Sequence, residues 1–192
     1  MTSCEINGIL RKSNTKFDNG VLYWLEVPRR SETGDTEKPA VDTLMVIVPE
    51  ETLPEGCVHI DGHVEAAWLP GFGVPTFVVP HTVVPFEGPL DGLSRTTITG
   101  SIKEDPVMRT THQKKTLSTV LVITDEGTIP VLLWGKNAEK AQNEFQAGDI
   151  VDVVGRLKSR IYRPKNGIGP RTAYELSAKT FEPAGRGAAH TV

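Results

Sequence analysis

Between Gly155 and Arg171 the chain carries six basic side chains, Arg156, Lys158, Arg160, Arg163, Lys165 and Arg171, and no carboxylate occurs from Val153 to Tyr174. Side chains alternate between the two faces of an extended strand, so Arg156, Lys158, Arg160 and Tyr162 share one face and Leu157, Ser159 and Ile161 the other. A row of cations that ends in an aromatic ring can neutralise phosphates and offer a base a flat stacking surface. Single-stranded nucleic acid is the ligand that needs both. A row of cations alone is equally a solvated edge strand whose charges discourage edge-to-edge pairing. The interleaved ring tips the reading toward binding.

Other chemistries find no support in the residues. There is no nucleophile elbow, phosphate loop or carboxylate cluster with catalytic context, so no enzyme is expected and no cofactor. His59 and His63 stand four apart without a third ligand, and His81, His112 and His190 are scattered, so no metal site is expected. Cys4 and Cys57 lie far apart with no Cys-x-x-Cys, which argues for incidental or structural thiols rather than a disulfide framework. No apolar run approaches the roughly 18 residues of a membrane span, and the start lacks the regions of a signal peptide, so a cytoplasmic protein is expected.

The 192 residues carry a formal net charge of −3, but it is unevenly spread: residues 1–90 sum to −7 and residues 91–192 to +4. That asymmetry suggests a polyanion-binding half joined to one that does not bind polyanions.

The elements that would position the cationic row are strands. Thr96-Thr-Ile-Thr-Gly-Ser-Ile102, Leu117-Ser-Thr-Val-Leu-Val-Ile-Thr124 and Thr128-Ile-Pro-Val-Leu-Leu-Trp134 are short β-branched runs bounded by polar or Gly-containing turns. Lys136 to Phe145 is rich in helix formers without Gly or Pro, and Gly148-Asp149 stops it. Two longer strands, Ile150 to Arg163 and Arg171 to Phe181, are joined through Asn166-Gly167, a hairpin-turn pair. The order β-β-β-α-β-β fits a five-stranded Greek-key barrel of the OB type, with the helix capping the barrel between its third and fourth strands.

The first half repeats the plan. Ile6-Asn-Gly-Ile-Leu10 parallels Ile98-Thr-Gly-Ser-Ile102, and Val58-His-Ile-Asp-Gly-His63 parallels Val151-Asp-Val-Val-Gly-Arg156, the pattern of a tandem duplication. Between Val48 and Val58 the segment is too short and too Pro-interrupted for a helix, so this copy is expected to lack its cap. The fold class is therefore all-β: two tandem OB-fold barrels, residues 1–88 and 95–183, the second with a capping helix. Glu87 to Ser94 is the expected linker, Ser31 to Pro39 an expected mobile loop, and residues 184–192 an expected flexible tail.

Three further segments sharpen the reading of the second half. These are Asp105-Pro-Val-Met-Arg109 after the first strand, Trp134-Gly-Lys-Asn-Ala-Glu139 at the helix start, and Gly148-Asp-Ile-Val-Asp-Val-Val-Gly-Arg-Leu157 in the fourth strand. Together with Arg160-Ile-Tyr162 they resemble the bacterial single-stranded DNA-binding protein family, in order, over about Arg95 to Pro183. A Trp beside three apolar residues is by itself more often core than surface. The resemblance instead puts Trp134 at the family's stacking aromatic and Tyr162 where the family often has Trp in the hairpin arm. It implies that Arg109, Lys136, Arg156, Lys158 and Arg160 contact phosphates, with Lys114, Lys115, Arg163, Lys165 and Arg171 as weaker loop candidates. It also implies binding without strong sequence preference in DNA replication, recombination or repair. An RNA strand satisfies the same chemistry.

Two features depart from the family pattern. The chain stops at Ala184 to Val192 without the usual acidic, aromatic-tipped terminus that recruits replication and repair proteins. It also holds two barrels, so a homodimer would assemble four, as in the two-barrel members of the family. Aligning Gly62 with Gly155 sets His63, Glu65 and Ala67 opposite Arg156, Lys158 and Arg160, so the first half lacks the cationic row and is expected to serve as an assembly or partner surface. Its Trp24, Trp68, Phe72 and Phe77 are expected in core or interface. Two rival readings share the fold: a replication-restart or primosome accessory adaptor, and an interaction module that has lost nucleic-acid binding.

Overall fold

The structure, a computed structural model, describes residues 1–18, 20–29, 40–49, 52–111, 113–164 and 169–185. Strands β1 (Thr2–Phe17), β2 (Gly20–Pro28), β3 (Val41–Val48), β4 (Gly56–Ala66) and β5 (Thr76–Pro85) form the first half. The second holds β6 (Ser94–Ile102), β7 (Met108–Thr110), β8 (Thr116–Thr124), β9 (Gly127–Trp134), helix α1 (Lys136–Glu144), β10 (Ile150–Tyr162) and β11 (Arg171–Pro183). The expected strands and helix of the second half are all present, and β7 is an addition that pairs antiparallel with the start of β8. The expected loop at Ser31 to Pro39, the Asn166-Gly167 turn, and the tail beyond Gly185 lie outside the described residues.

Each half closes on itself. The first runs β2-β3-β5-β4-β1 with β1 returning to β2. The second runs β6-β10-β11-β9-β8 with β6 returning to β8. In both, the third strand meets the last one in parallel, at Val46 and Val78 and again at Val131 and Leu176, the Greek-key closure of an OB barrel. The duplication extends to backbone irregularities. The β4–β5 register slips between Asp61 and Gly62, and the β10–β11 register slips between Val154 and Gly155. A Cβ at Gly62 would strike the Val79 carbonyl oxygen and one at Gly155 that of Ser177, so the strand can bend around the barrel only if the residue there has no side chain.

The helix buries Ala138 and Ala141 against the base of the second barrel, where Phe145 meets Phe181 edge-on at 4.9 Å. The first barrel has no helix among the described residues between β3 and β4. There Leu53 packs against the core instead, with its N–H donating to Tyr23 Oη at 3.2 Å.

The barrels are joined by more than a linker. Antiparallel pairing of β1 with β6, from Thr2 opposite Ile98 to Ile6 opposite Ser94, makes one sheet of eleven strands, and the buried core runs from Ile6 and Leu10 through Ile98 to Phe181. At a second seam the Ala66 N–H donates to the Glu126 carbonyl at 2.8 Å, docking the β8–β9 turn on the end of β4.

Candidate nucleic-acid interface

Strand β10 alternates as its sequence requires, with Val151, Val153 and Leu157 buried and the cations on the opposite parity. The tertiary fold then divides those cations. Arg156 is turned inward against the first barrel: Nη2 donates to the Pro28 carbonyl at 2.7 Å, Nη1 donates to the Gly92 carbonyl at 3.1 Å, and Asp42 Oδ2 lies 3.4 Å away. Its side chain keeps only 20% of its surface. Burial lowers its pKa from the ordinary guanidinium value, with Asp42 opposing that fall. Against the expectation that Arg156 contacts phosphate, its two terminal nitrogens are engaged by the Pro28 and Gly92 carbonyls, and Nε is buried without a partner.

Lys158 is half-buried and faces Glu175 across the β10–β11 pair. Arg160 is more open, with Nη2 at 3.1 Å from Glu175 Oε1 and its guanidinium carbon 5.6 Å from the centre of the Tyr162 ring. Tyr162, 37% exposed, stands opposite the exposed Arg171, and Arg163 is exposed just past the strand. Arg160, Tyr162 and Arg171 therefore form one cluster on the hairpin arm. Lys165 lies outside the described residues.

A second cluster sits where β9 ends. Trp134, 42% exposed, aligns across Leu117 of β8 with Arg109 of β7, and Lys136 is exposed at the helix start. Lys114 and Lys115 are exposed in the β7–β8 turn. Neither Trp134 nor Tyr162 is packed into the core, so each has a face open to stack.

The arm cluster opens onto a cleft of about 740 Å³ between the barrels. One wall is Tyr162, Arg171 and Tyr174; the other is Trp24 with the loop Trp68 to Pro75. An adjoining cleft of about 780 Å³ shares Trp24 and Tyr174 and adds Arg11, Lys12, Arg29 and Arg160. Tyr174 is mostly buried, which pushes its hydroxyl up to about 12 against the opposing hydrogen bond from Thr172. On the far wall Phe72 packs edge-on against Phe17 at 5.9 Å and tilts against Trp24 at 6.2 Å.

The expectation for the first-half aromatics divides. Phe77 is core and Trp24 is partly buried, but Trp68 is 68% exposed and Phe72 is 38% exposed. The sequence held a signal for this. Trp68-Leu-Pro-Gly-Phe-Gly-Val-Pro75 puts two large aromatics in a Pro/Gly loop, where no strand periodicity turns them inward. Gly71 and Gly73, at φ of 82° and 77°, let the loop close on itself, Leu69 N–H donating to the Gly73 carbonyl at 2.6 Å.

Among the described residues, His59, His63 and His81 are engaged with one another or with neighbouring side chains, and His112 and His190 lie outside the described residues. His59 Nδ1 lies 2.6 Å from Asn7 Oδ1 and Nε2 3.2 Å from Asp61; His63 Nδ1 lies 2.9 Å from His81 Nε2 and Nε2 3.0 Å from Glu65. Among the described residues no three His, Cys, Asp or Glu side chains converge on a metal position, and no helix is long and apolar enough to cross a membrane.

Residues 93–184 match the model of the single-strand binding protein family. The second barrel is the part of the chain that is similar to that family. A single-stranded DNA-binding protein of Clostridium tetani (strain Massachusetts / E88) is 28% identical, the match covering 39% of this chain and 59% of that relative, less than two thirds of its length. The wild-type single-stranded DNA binding protein from Thermus aquaticus has the same fold with a TM-score of 0.72 at 20% identity, over 100% of this chain and 97% of that one. A deletion mutant of the same protein gives 0.70 at 19% identity, over 100% and 98%. The single-strand binding protein family match contains Trp134, Tyr162 and every expected contact cation. Trp24, Trp68, Phe72, Arg11 and Lys12 lie outside it and reach the two adjoining clefts beside Tyr162 and Arg160 only through the fold.

Proposed function

We propose that the chain binds single-stranded DNA without strong sequence preference, by stacking bases on Trp134 and Tyr162 while cations follow the phosphates. The observation that carries this is the pair of exposed rings, each beside exposed cations, on the barrel that matches the family. The contact set is Arg109, Trp134, Lys136, Lys158, Arg160, Tyr162, Arg163, Lys165 and Arg171, with Lys114 and Lys115 as outer contacts; Arg156 is left out because its two terminal nitrogens are engaged within the protein. The inter-barrel cleft supports a strand path that continues past Tyr162 onto Trp68 and Trp24. The protein acts as a cytoplasmic binding protein in replication, recombination or repair, and performs no bond chemistry.

Titration of oligo-dT over a range of salt tests this. With about six cations on phosphates, at about −0.7 per contact on single strands, log K falls against log salt with a slope on the order of −4. Tyr162→Ala or Trp134→Ala weakens binding by about 1 to 3 kcal/mol, a general range for strand-binding barrels, with that slope nearly unchanged. A slope near zero, or full affinity in both variants, refutes the reading. We further propose a homodimer that brings four barrels together; a light-scattering mass of one chain removes it.

A further inference from the structure

The fully buried carboxylate of Asp42 belongs to the first barrel, yet it also takes a hydrogen bond from Ser159 and an ion pair with Arg156 of the second. Asp42 shares strand parity with Leu44, Val46 and Val48, the core-facing residues of β3, so its side chain points inward at the rim. Its exposure is 0%, and both oxygens are satisfied. Oδ1 accepts from Arg29 Nη2 at 2.7 Å and from the Ser159 N–H at 3.0 Å, and Oδ2 accepts from Arg29 Nε at 3.1 Å. The pairing raises the pKa of Arg29 above its ordinary value, the hydrogen bonds it donates to Asp42 being the largest cause.

Ser159 is held on every polar group. Besides its N–H on Asp42, its carbonyl accepts from Arg29 Nη2 at 3.1 Å and its hydroxyl oxygen accepts from the Thr43 N–H at 2.9 Å. All of these partners are in the first barrel. The location matters because β6 pairs with β10 only as far as Gly155 opposite Thr96. The β9–β11 pairing ends at Leu176, opposite Leu157, so from Lys158 onward β10 and β11 project as a two-stranded arm, and such a hairpin is marginal in water unless something packs against it. Ser159 lies near the base of that arm, opposite Tyr174, whose ring packs in the apolar cluster of Leu22, Met45 and Phe77; it is one residue from Lys158 and Arg160 and three from Tyr162.

We propose that Asp42 is a positioning residue for strand binding: with Arg29 it clamps the arm at Ser159 and so holds Arg160 and Tyr162 in the orientation that meets the strand. This assigns the first barrel a role its charge does not suggest, and it rests on the proposed DNA binding. Ordering the arm beforehand removes a conformational cost that would otherwise fall on the binding step.

Two measurements test it. Asp42→Asn removes the charge at nearly constant shape, and Arg29→Gln, at a side chain 38% exposed, releases the same clamp if the first variant fails to fold. Amide hydrogen exchange in the free protein should show lost protection at residues 158–162 in either variant; unchanged protection there overturns the clamp without reference to DNA. In oligo-dT titrations, Tyr162→Ala should cost on the order of tenfold in the parent and about twofold in the clamp variant, while Lys136→Gln should cost the same in both backgrounds. A purely structural role would not single out Tyr162, so equal Tyr162 costs in the two backgrounds refute positioning. A parent protein that binds no oligo-dT, with the arm still losing protection in the variants, sinks the DNA reading and leaves the clamp standing.

Discussion

Arg156→Met separates a cation that builds the protein from one that binds its ligand. The residue opens the cationic row in sequence, so counting charges would place it among the phosphate contacts. In the fold its guanidinium donates to the Pro28 and Gly92 carbonyls and sits 3.4 Å from Asp42. Two bonds from a charged donor are worth about 1.5 to 3 kcal/mol each. Against that gross loss stands the relief of a half-buried charge, whose desolvation is visible in the lowered pKa, and methionine refills part of the volume. Asp42 also keeps both bonds from Arg29 and the one from Ser159. The expected net cost is about 2 kcal/mol of stability, or roughly 4 to 8 °C in Tm for a chain of this size. Urea denaturation followed by tryptophan fluorescence measures the first quantity, and oligo-dT affinity across salt measures the second. The salt slope of Arg156→Met should equal that of the parent. Arg171→Met, at an exposed position, should show the opposite pattern, with stability unchanged and the slope shallower by about 0.7. An Arg156→Met protein of undiminished stability whose slope falls by that amount would refute the assignment.

Thiol chemistry and alkaline stability provide two further checks. Cys57 is exposed and Cys4 is buried, with burial as the larger cause and Asp61 as a lesser one pushing the Cys4 thiol from 9.0 up to about 12. The folded protein should therefore release one equivalent rapidly with a disulfide reagent at pH 8 and the second only after denaturation; two fast equivalents would contradict the burial of β1. Tyr174 is likewise pushed from 10.0 up to about 12 by burial. Both groups bind their proton more tightly when folded, so the stability they contribute is whole below about pH 9 and declines as pH rises toward 12. A denaturation midpoint that stays flat from pH 8.5 to 11 would show that neither is shielded as described.

The local patterns of this chain were legible because each rests on a short-range rule. β-Branched runs between polar turns marked the strands of the second barrel, and a Gly-free and Pro-free run marked α1. The recurring Gly62 and Gly155 marked the same bend in both barrels, where only hydrogen can face a carbonyl across the bulge. Period-2 spacing put the cations on one parity of β10, and the motif around Trp134 placed that ring outside the core despite its apolar neighbours.

What each cation does was decided only by the tertiary structure, because charge acts through space and the sequence window saw only neighbours along the chain. The acid-free stretch ends one residue before Glu175, which the β10–β11 register sets opposite Lys158 and which pairs with Arg160. Asp42 reaches Ser159 and the vicinity of Arg156 from more than a hundred residues away. Trp68 and Phe72, in an acidic half that charge counting set aside, come to line the cleft facing Tyr162 and Arg171. Strand periodicity is dictated by the backbone between adjacent residues; pairing across a closed barrel, and between two barrels joined edge to edge, depends on which strands meet, and that is set by burial of the whole core.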